Sequence, residues 1–350
     1  MRYSQVSLAA LGYELPPRVV SSAALEDRLA PLYAKLQMQG GRIELISGVK
    51  ERRFWEPGTR PSTKSVLSVE KAIERSGIAR EKIGALVHTS VCRDYLEPAT
   101  ASVVAGQIGL PKSAMVFDIS NACLGFMNGL VVVANMIELG QIEAGVVVST
   151  EAGEALVDST VEHLVEKSKN GVSRRSLKPS FASLTIGSGS VAAVVTRSDL
   201  TSGSRLLGGT CKQATEHHDL CRSAPDQGFA FGASPLMETS AENVLQYGCD
   251  LARETWQSFK DELDWTNDTP DQIVCHQVGS SYRRTLFNAL ELDTKKDHPT
   301  VEYLGNIGSV SLPISLALAD DANKLASGDK VALLGIGSGL NCVMLGLEWA

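Results

Sequence analysis

Laid over itself, the chain matches at one displacement, and that match constrains its fold more than any other feature. Leu139-Gly140-Gln141-Ile142-Glu143-Ala144-Gly145-Val146-Val147-Val148 resembles Leu325-Ala326-Ser327-Gly328-Asp329-Lys330-Val331-Ala332-Leu333-Leu334, a displacement of 325 − 139 = 186 residues. Carried upstream, it pairs a turn at 117–125 with one at 303–311, and the apolar helical stretch 124–139 with 310–325. It also brings 83–89 close to 272–276. Residue by residue the match is thin, but the elements recur in one order, as a duplicated unit does. The sequence therefore predicts two α/β halves, 1–197 and 198–350, meeting near 197–205. The runs 83–88, 116–119, 145–149, 191–196, 272–276 and 331–335 are apolar without a period of two. Such runs read as strands covered by helices on both faces. Residues 155–185, of mixed charge, and 213–238, with no periodicity, stand outside the repeat and read as excursions from the core.

Composition removes several classes of function. The net charge of −7 opposes nucleic acid as a partner, because phosphate neutralisation needs a basic face. Aromatic residues are 5% of the chain, too few for base-stacking platforms. No apolar run approaches the ~20 residues of a membrane span, and the N-terminus lacks a signal-peptide pattern. Seven cysteines at irregular spacing, without a CxxC pair, do not form a disulfide framework. These readings predict a soluble, cytoplasmic protein with no membrane span. Cys211, His217, His218 and Cys221 lack regular zinc spacing, so no metal is expected.

The sharpest chemical signal is Asp118-Ile119-Ser120-Asn121-Ala122-Cys123-Leu124-Gly125. A strand ends, a short polar turn follows, and Cys123 opens an apolar helix. Free N–H groups and the positive end of the helix dipole there favour a thiolate, so a lowered thiol pKa is expected. A thiolate nucleophile wants an imidazole and an oxyanion site. His276 follows the apolar run of Ile273-Val274-Cys275, at a strand end where open α/β sheets carry their chemistry. Asn306, in Gly305-Asn306-Ile307-Gly308, falls on the turn that the 186-residue displacement pairs with the Cys123 turn. The glycine turn Gly335-Ile336-Gly337-Ser338-Gly339-Leu340 offers free N–H groups for an oxyanion hole.

In this order, the Cys123 turn, His276, the Gly-Asn-Ile-Gly turn and the terminal glycine turn resemble the thiolase superfamily over essentially the whole chain. The resemblance is strongest to its ketosynthase III branch. It implies a duplicated, five-layered αβαβα fold, a homodimer and a Cys123–His276–Asn306 triad. Cys123 would be acylated, His276 and Asn306 would donate hydrogen bonds to the second substrate, and the Cys123 and Ser338 amides would hold the acyl oxyanion. Arg93-Asp94-Tyr95-Leu96-Glu97-Pro98-Ala99-Thr100-Ala101-Ser102 and residues 335–342 further resemble the acyl-CoA:acyl-CoA condensing enzymes of head-to-head olefin biosynthesis, the OleA family. Within that resemblance Glu97 is the base, reaching the partner subunit's site. Arg52, Arg53 and Trp55, in a segment resembling the family's Gly-Ile-x-x-Arg-Arg, would meet the CoA phosphates and adenine by charge and stacking.

The implied activity is a non-decarboxylative Claisen condensation of two fatty acyl-CoAs to a 2-alkyl-3-oxoalkanoate, with no cofactor beyond the acyl-CoA substrates. One alternative is a β-ketoacyl-ACP synthase III joining acyl-CoA to malonyl-ACP. Another, of a different class, is a catalytically inactive partner subunit. The retention of Cys123, His276 and Asn306 together opposes the last.

Overall fold

The computed structural model describes residues 1–171, 173–223 and 235–350. Nine strands form one sheet: β1 (Val6–Glu14), β2 (Ile83–His88), β3 (Met115–Asp118), β4 (Ala144–Ala152), β5 (Ser188–Arg197), β6 (Ser204–Gln213), β7 (Gln272–Cys275), β8 (Lys330–Gly337) and β9 (Asn341–Glu348). Their order is β7-β8-β9-β6-β1-β5-β4-β2-β3. Seven helices position the site: α1 (Pro61–Ser76), α2 (Thr100–Ile108), α3 (Gly125–Glu138), α4 (Glu154–Lys169), α5 (Ala241–Leu263), α6 (Ser280–Leu290) and α7 (Ser311–Asp321).

Read outward from the β1–β6 junction, the two half-sheets repeat one pattern. β1 pairs antiparallel with β5, β5 antiparallel with β4, and β4 parallel with β2. On the other side β6 pairs antiparallel with β9, β9 antiparallel with β8, and β8 parallel with β7. Where β3 extends the first half, the second has a single parallel bridge between Ile273 and Asp297. The halves join along β1 and β6 through two residue pairs, Ser7–Arg205 and Leu8–Ser204, with a further antiparallel bridge between Arg2 and Gly208.

Strand residues alternate between two apolar layers. Val147, Val191, Ala193 and Val195 face inward, onto a core that includes Phe126, Leu130 and Val133 of α3 and Leu312, Ile314 and Leu316 of α7. Val274, Leu333, Val343 and Leu345 of the second half-sheet close the same core from the other side. The opposite faces are covered by α1 and α2 in the first half and by α5 and α6 in the second. The result is five layers, αβαβα, with α3 and α7 in the middle. Burial on both faces is why these strands show continuous apolar runs.

The 155–185 segment is not an irregular excursion. Its α4 buries Val157, Val161 and Leu164 against Leu25, Leu29 and Leu32, a fourth apolar cluster beyond the repeated core. Of the 213–238 segment, residues 224–234 lie outside the described residues. No described helix is long and apolar enough to cross a membrane.

Candidate active site

Cys123 stands in a short 3-10 turn, Ala122–Leu124, that leads into α3. Ala122 takes φ 45°, a left-handed conformation that costs a residue with a Cβ about 1–2 kcal/mol. Gly125 lets the helix begin against its neighbour, since a Cβ there would lie 2.0 Å from the Thr89 carbonyl oxygen. The turn packs on the end of β8 and on a second 3-10 turn, Gly308–Val310, which leads into α7. A Cβ at Gly337 would lie 3.5 Å from that of Cys123. Ser338, the next residue, therefore stands beside the thiol-bearing turn. Among the described residues, neither the Cys123 nor the Ser338 N–H donates a hydrogen bond to another main-chain group. These are two donors of the kind an oxyanion requires.

Asn341 ties the two turns together. Its Nδ2 donates to the Ser338 carbonyl at 3.3 Å and to Asn121 Oδ1 at 3.4 Å, while Asn121 Nδ2 donates to Asn128 Oδ1 at 2.7 Å. Sequence reasoning passes over Asn121 and Asn341. Both lie inside segments it uses, but 220 residues separate them, and nothing in their spacing says that they meet.

His276 follows β7, and its N–H extends the pairing with β8 by donating to the Leu334 carbonyl at 3.0 Å. The ring is buried, and neither nitrogen has a partner among the described residues. Burial lowers its pKa to about 4, so the ring is neutral at pH 7. Cys123 departs from expectation here. Burial, foremost, pushes its thiol up to about 12, with Cys221 and Glu151 adding to the rise. The helix N-terminus is in place, yet desolvation outweighs it, and the resting site holds a neutral thiol and a neutral imidazole.

Asn306 is half-buried at the head of the second turn. Its main chain is fixed on both sides: the N–H donates to Thr185 O at 2.9 Å and the carbonyl accepts from Gly187 N at 2.8 Å. Its Oδ1 accepts from Gly308 N at 3.0 Å. Beneath this turn lies Glu151, a buried carboxyl on β4 absent from the sequence reading. Oε1 accepts from Val91 N at 3.0 Å and Ser309 Oγ at 2.8 Å, and Oε2 from Cys92 N at 3.1 Å. Burial raises its pKa against the pull of those hydrogen bonds. A signal existed: Glu151 is the one charge in the apolar strand Ala144–Ala152.

Glu97 is not part of the buried cluster. It is exposed on the 89–99 loop between β2 and α2, beside exposed Val91, Tyr95 and Leu96, and makes no hydrogen bond or ion pair among the described residues. Both flanks of the loop are tethered: Asp94 accepts from Ser62 N and Oγ at 2.9 and 2.5 Å, and Asp118 from Thr100 N and Ala101 N at 2.8 and 2.9 Å.

The expected CoA contacts need correction. Arg52 is 0% exposed and donates to Val20 O, Ser22 Oγ and Leu184 O at 3.0–3.2 Å, with burial lowering its pKa to about 10. Trp55 is 4% exposed, and its Nε1 donates to Glu151 O at 3.0 Å. Neither offers charge or ring to a nucleotide. They lie on and just after a short strand, Glu51–Phe54, paired with Arg18–Ser21, and alternation turns Arg52 inward. Arg53 is half-buried, with Nη1 donating to Pro16 O at 3.1 Å. Around the irregular Cys/His set, His217 stacks on Tyr247 at 3.8 Å, and His218 Nδ1 lies 3.1 Å from Thr215 O. No three His, Cys, Asp or Glu side chains among the described residues are grouped to hold a metal ion.

Residues 117–213 match the 3-oxoacyl-[acyl-carrier-protein (ACP)] synthase III family, and residues 261–349 match its C-terminal family. The acyl-CoA:acyl-CoA alkyltransferase of Shewanella oneidensis is 42% identical, and that of Xanthomonas campestris 35%, each alignment covering all of both chains. A crystal structure of Xanthomonas OleA with cerulenin bound superposes with a TM-score of 0.93 at 35% identity, over all of this chain and 98% of the other. With this likeness running from end to end, and the thiolase-like fold shared, the chain belongs to the acyl-CoA:acyl-CoA alkyltransferase family, the OleA branch of the ketosynthase III enzymes.

Proposed function

We propose that this chain joins two fatty acyl-CoAs by a non-decarboxylative Claisen condensation, as a cytoplasmic homodimer. The observation that carries this reading is the full-length, 42%-identical match to an acyl-CoA:acyl-CoA alkyltransferase. It is supported by a thiol turn with two amides that bond no other main-chain group, and by a buried imidazole at the end of β7. Cys123 sulfur bonds to the acyl carbonyl carbon of the first substrate while the Cys123 and Ser338 amides hold the oxyanion. The C–S bond to CoA then breaks, and the thiol proton leaves on CoA. Glu97 of one protomer enters its partner's site and takes the α-proton of a second acyl-CoA. His276 and Asn306 hold the enolate oxygen. The α-carbon attacks acyl-Cys123, the Cys–acyl bond breaks, and the proton on Glu97 returns the sulfur to its thiol. Hydrolysis of the resulting thioester releases CoA and the 2-alkyl-3-oxoalkanoate. The cycle consumes no cofactor. Arg53 is the remaining candidate contact for CoA phosphate.

Two features support the placement of Glu97. The exposed apolar residues around it offer a surface to a second copy of the chain. Desolvation there would also strengthen a carboxylate base, which is weak in water. Long-chain acyl-CoA supplied alone should yield a β-keto acid or its decarboxylated ketone. Glu97→Gln should keep the dimer and still form acyl-Cys123, yet condense at roughly 1% of the wild-type rate. Rapid turnover of both proteins with malonyl-ACP, and none with acyl-CoA alone, would assign the chain to the malonyl-dependent reaction instead.

A further inference from the structure

Glu151 is buried and reaches two segments far apart in sequence. Through Val91 N and Cys92 N it holds the start of the loop that carries Glu97. Through Ser309 Oγ it holds the turn that carries Asn306, and a Cβ at Gly308 would lie 3.3 Å from its Oε1. The Trp55 indole donates to its main-chain oxygen, and Ser149 on the same strand meets Ser309 as well. Ser149 Oγ also meets Ser90 Oγ at 3.2 Å, so a hydroxyl bridge runs beside the carboxyl between the same two segments.

We propose that Glu151 is a positioning residue for the condensation step, setting the base loop and the enolate-binding turn against each other from below. This rests on the reading of Glu97 as base and Asn306 as enolate donor. Acylation depends instead on the Cys123 turn and the Ser338 amide, which Asn121 and Asn341 hold together. Loss of the Glu151 tether should therefore leave the first step largely intact.

Two substitutions separate its contacts. Glu151→Gln keeps an oxygen for Val91 N and Ser309 Oγ but turns an NH2 toward Cys92 N, loosening the loop. Ser309→Ala keeps both loop contacts of Glu151 and releases the turn from Glu151 and Ser149 together. In each full-length variant, the burst of CoA release should stay within about threefold of wild type, while condensation falls by about 10- to 100-fold, as a displacement near 1 Å produces. Amide hydrogen exchange should rise in 91–97 for Glu151→Gln and in 305–310 for Ser309→Ala, each with the other segment still protected. Unchanged exchange in both variants would overturn the tether. Equal slowing of burst and condensation would overturn its selectivity. Glu97→Gln, run alongside, isolates the underlying reading: wild-type condensation there would dismiss the base, whereas exchange judges the tether independently.

Discussion

The Ala122–Leu124 and Gly308–Val310 turns are the same device used twice. Both are 3-10 turns, both begin with a left-handed residue (Ala122 at φ 45°, Gly308 at φ 53°), and both feed a central helix, at one displacement of 186 residues. In that register the counterpart of Cys123 is Ser309, and the counterpart of Gly337 is Glu151. In the first site a glycine lies against Cys123; in the second a carboxyl lies against the Ser309 hydroxyl and binds it. Duplication supplied two equivalent positions. One has a glycine wall beside a thiol, and the other has a carboxyl bound to a hydroxyl.

Cys123→Ser makes the first turn resemble the second in chemistry, and gives the largest expected effect. An alkoxide is far harder to form than a thiolate, so acylation should fall by roughly 10³-fold or more with the fold intact. Intact-protein mass spectrometry after incubation with acyl-CoA checks it; undiminished labelling would remove Cys123 from the mechanism. His276→Ala and Asn306→Ala remove donors from the second half only. Condensation should drop by about 10²-fold, with acylation much less affected, and stopped-flow CoA release separates the steps. Equal loss in both would assign these side chains to acyl transfer.

The helix starts differ as well, and stability should report it. Gly125→Ala drives a Cβ into the backbone oxygen of Thr89 and should cost about 3 kcal/mol. At the matching position, Ser311→Ala strands the Ile307 N–H that Ser311 Oγ accepts at 2.8 Å, costing about 1–2 kcal/mol. Urea denaturation of the two variants measures the asymmetry, and equal costs would mean that the two starts pack alike.

The smallest effect is on pH dependence. Each half buries one imidazole, His88 and His276, and burial lowers both to about 4. Their folded pKa values lie below the unfolded value near 6.5. The unfolded chain therefore binds more protons between pH 6.5 and 4, and stability present above that window is lost as pH falls through it. His276→Asn should remove part of the slope of melting temperature against pH in that interval, leaving the His88 share. An unchanged slope would mean that His276 ionises freely in the folded chain.

Much of this architecture can be read from the residues because doubly covered strands must be apolar throughout. Residues 83–88 and 272–275 stand out for that reason. By contrast Val6–Glu14 and Ser204–Gln213, which join the halves, carry polar and glycine positions that blur the pattern, and Asn341–Glu348 hides behind the glycine turn that precedes it. At the site, the repeat aligns Cys123 with the Asn306 turn because both belong to the duplicated unit. Glu151 and Asn341 act through side chains meeting across 158 and 220 residues, and no local pattern encodes such meetings. Arg52 misleads for the opposite reason: an arginine pair reads as a surface feature, yet a single turn of strand alternation buries it.

The narrow seam between the half-sheets has a consequence for how the chain is made. Val6–Glu14 is synthesised before both of its partners, at 190–197 and 204–205, yet lies between them in the middle of the finished sheet. At ~5–20 residues per second, roughly ten seconds or more of synthesis separate that strand from its first neighbour. During this wait Val6, Leu8 and Leu11 have no native strand to pair with, and contacts so distant in sequence are slow to close. Until residues 188–197 appear, the strand that joins Val6–Glu14 to the parallel strands of the first half is missing. Slowing translation just before this segment should lengthen the vulnerable interval and raise the demand for chaperones.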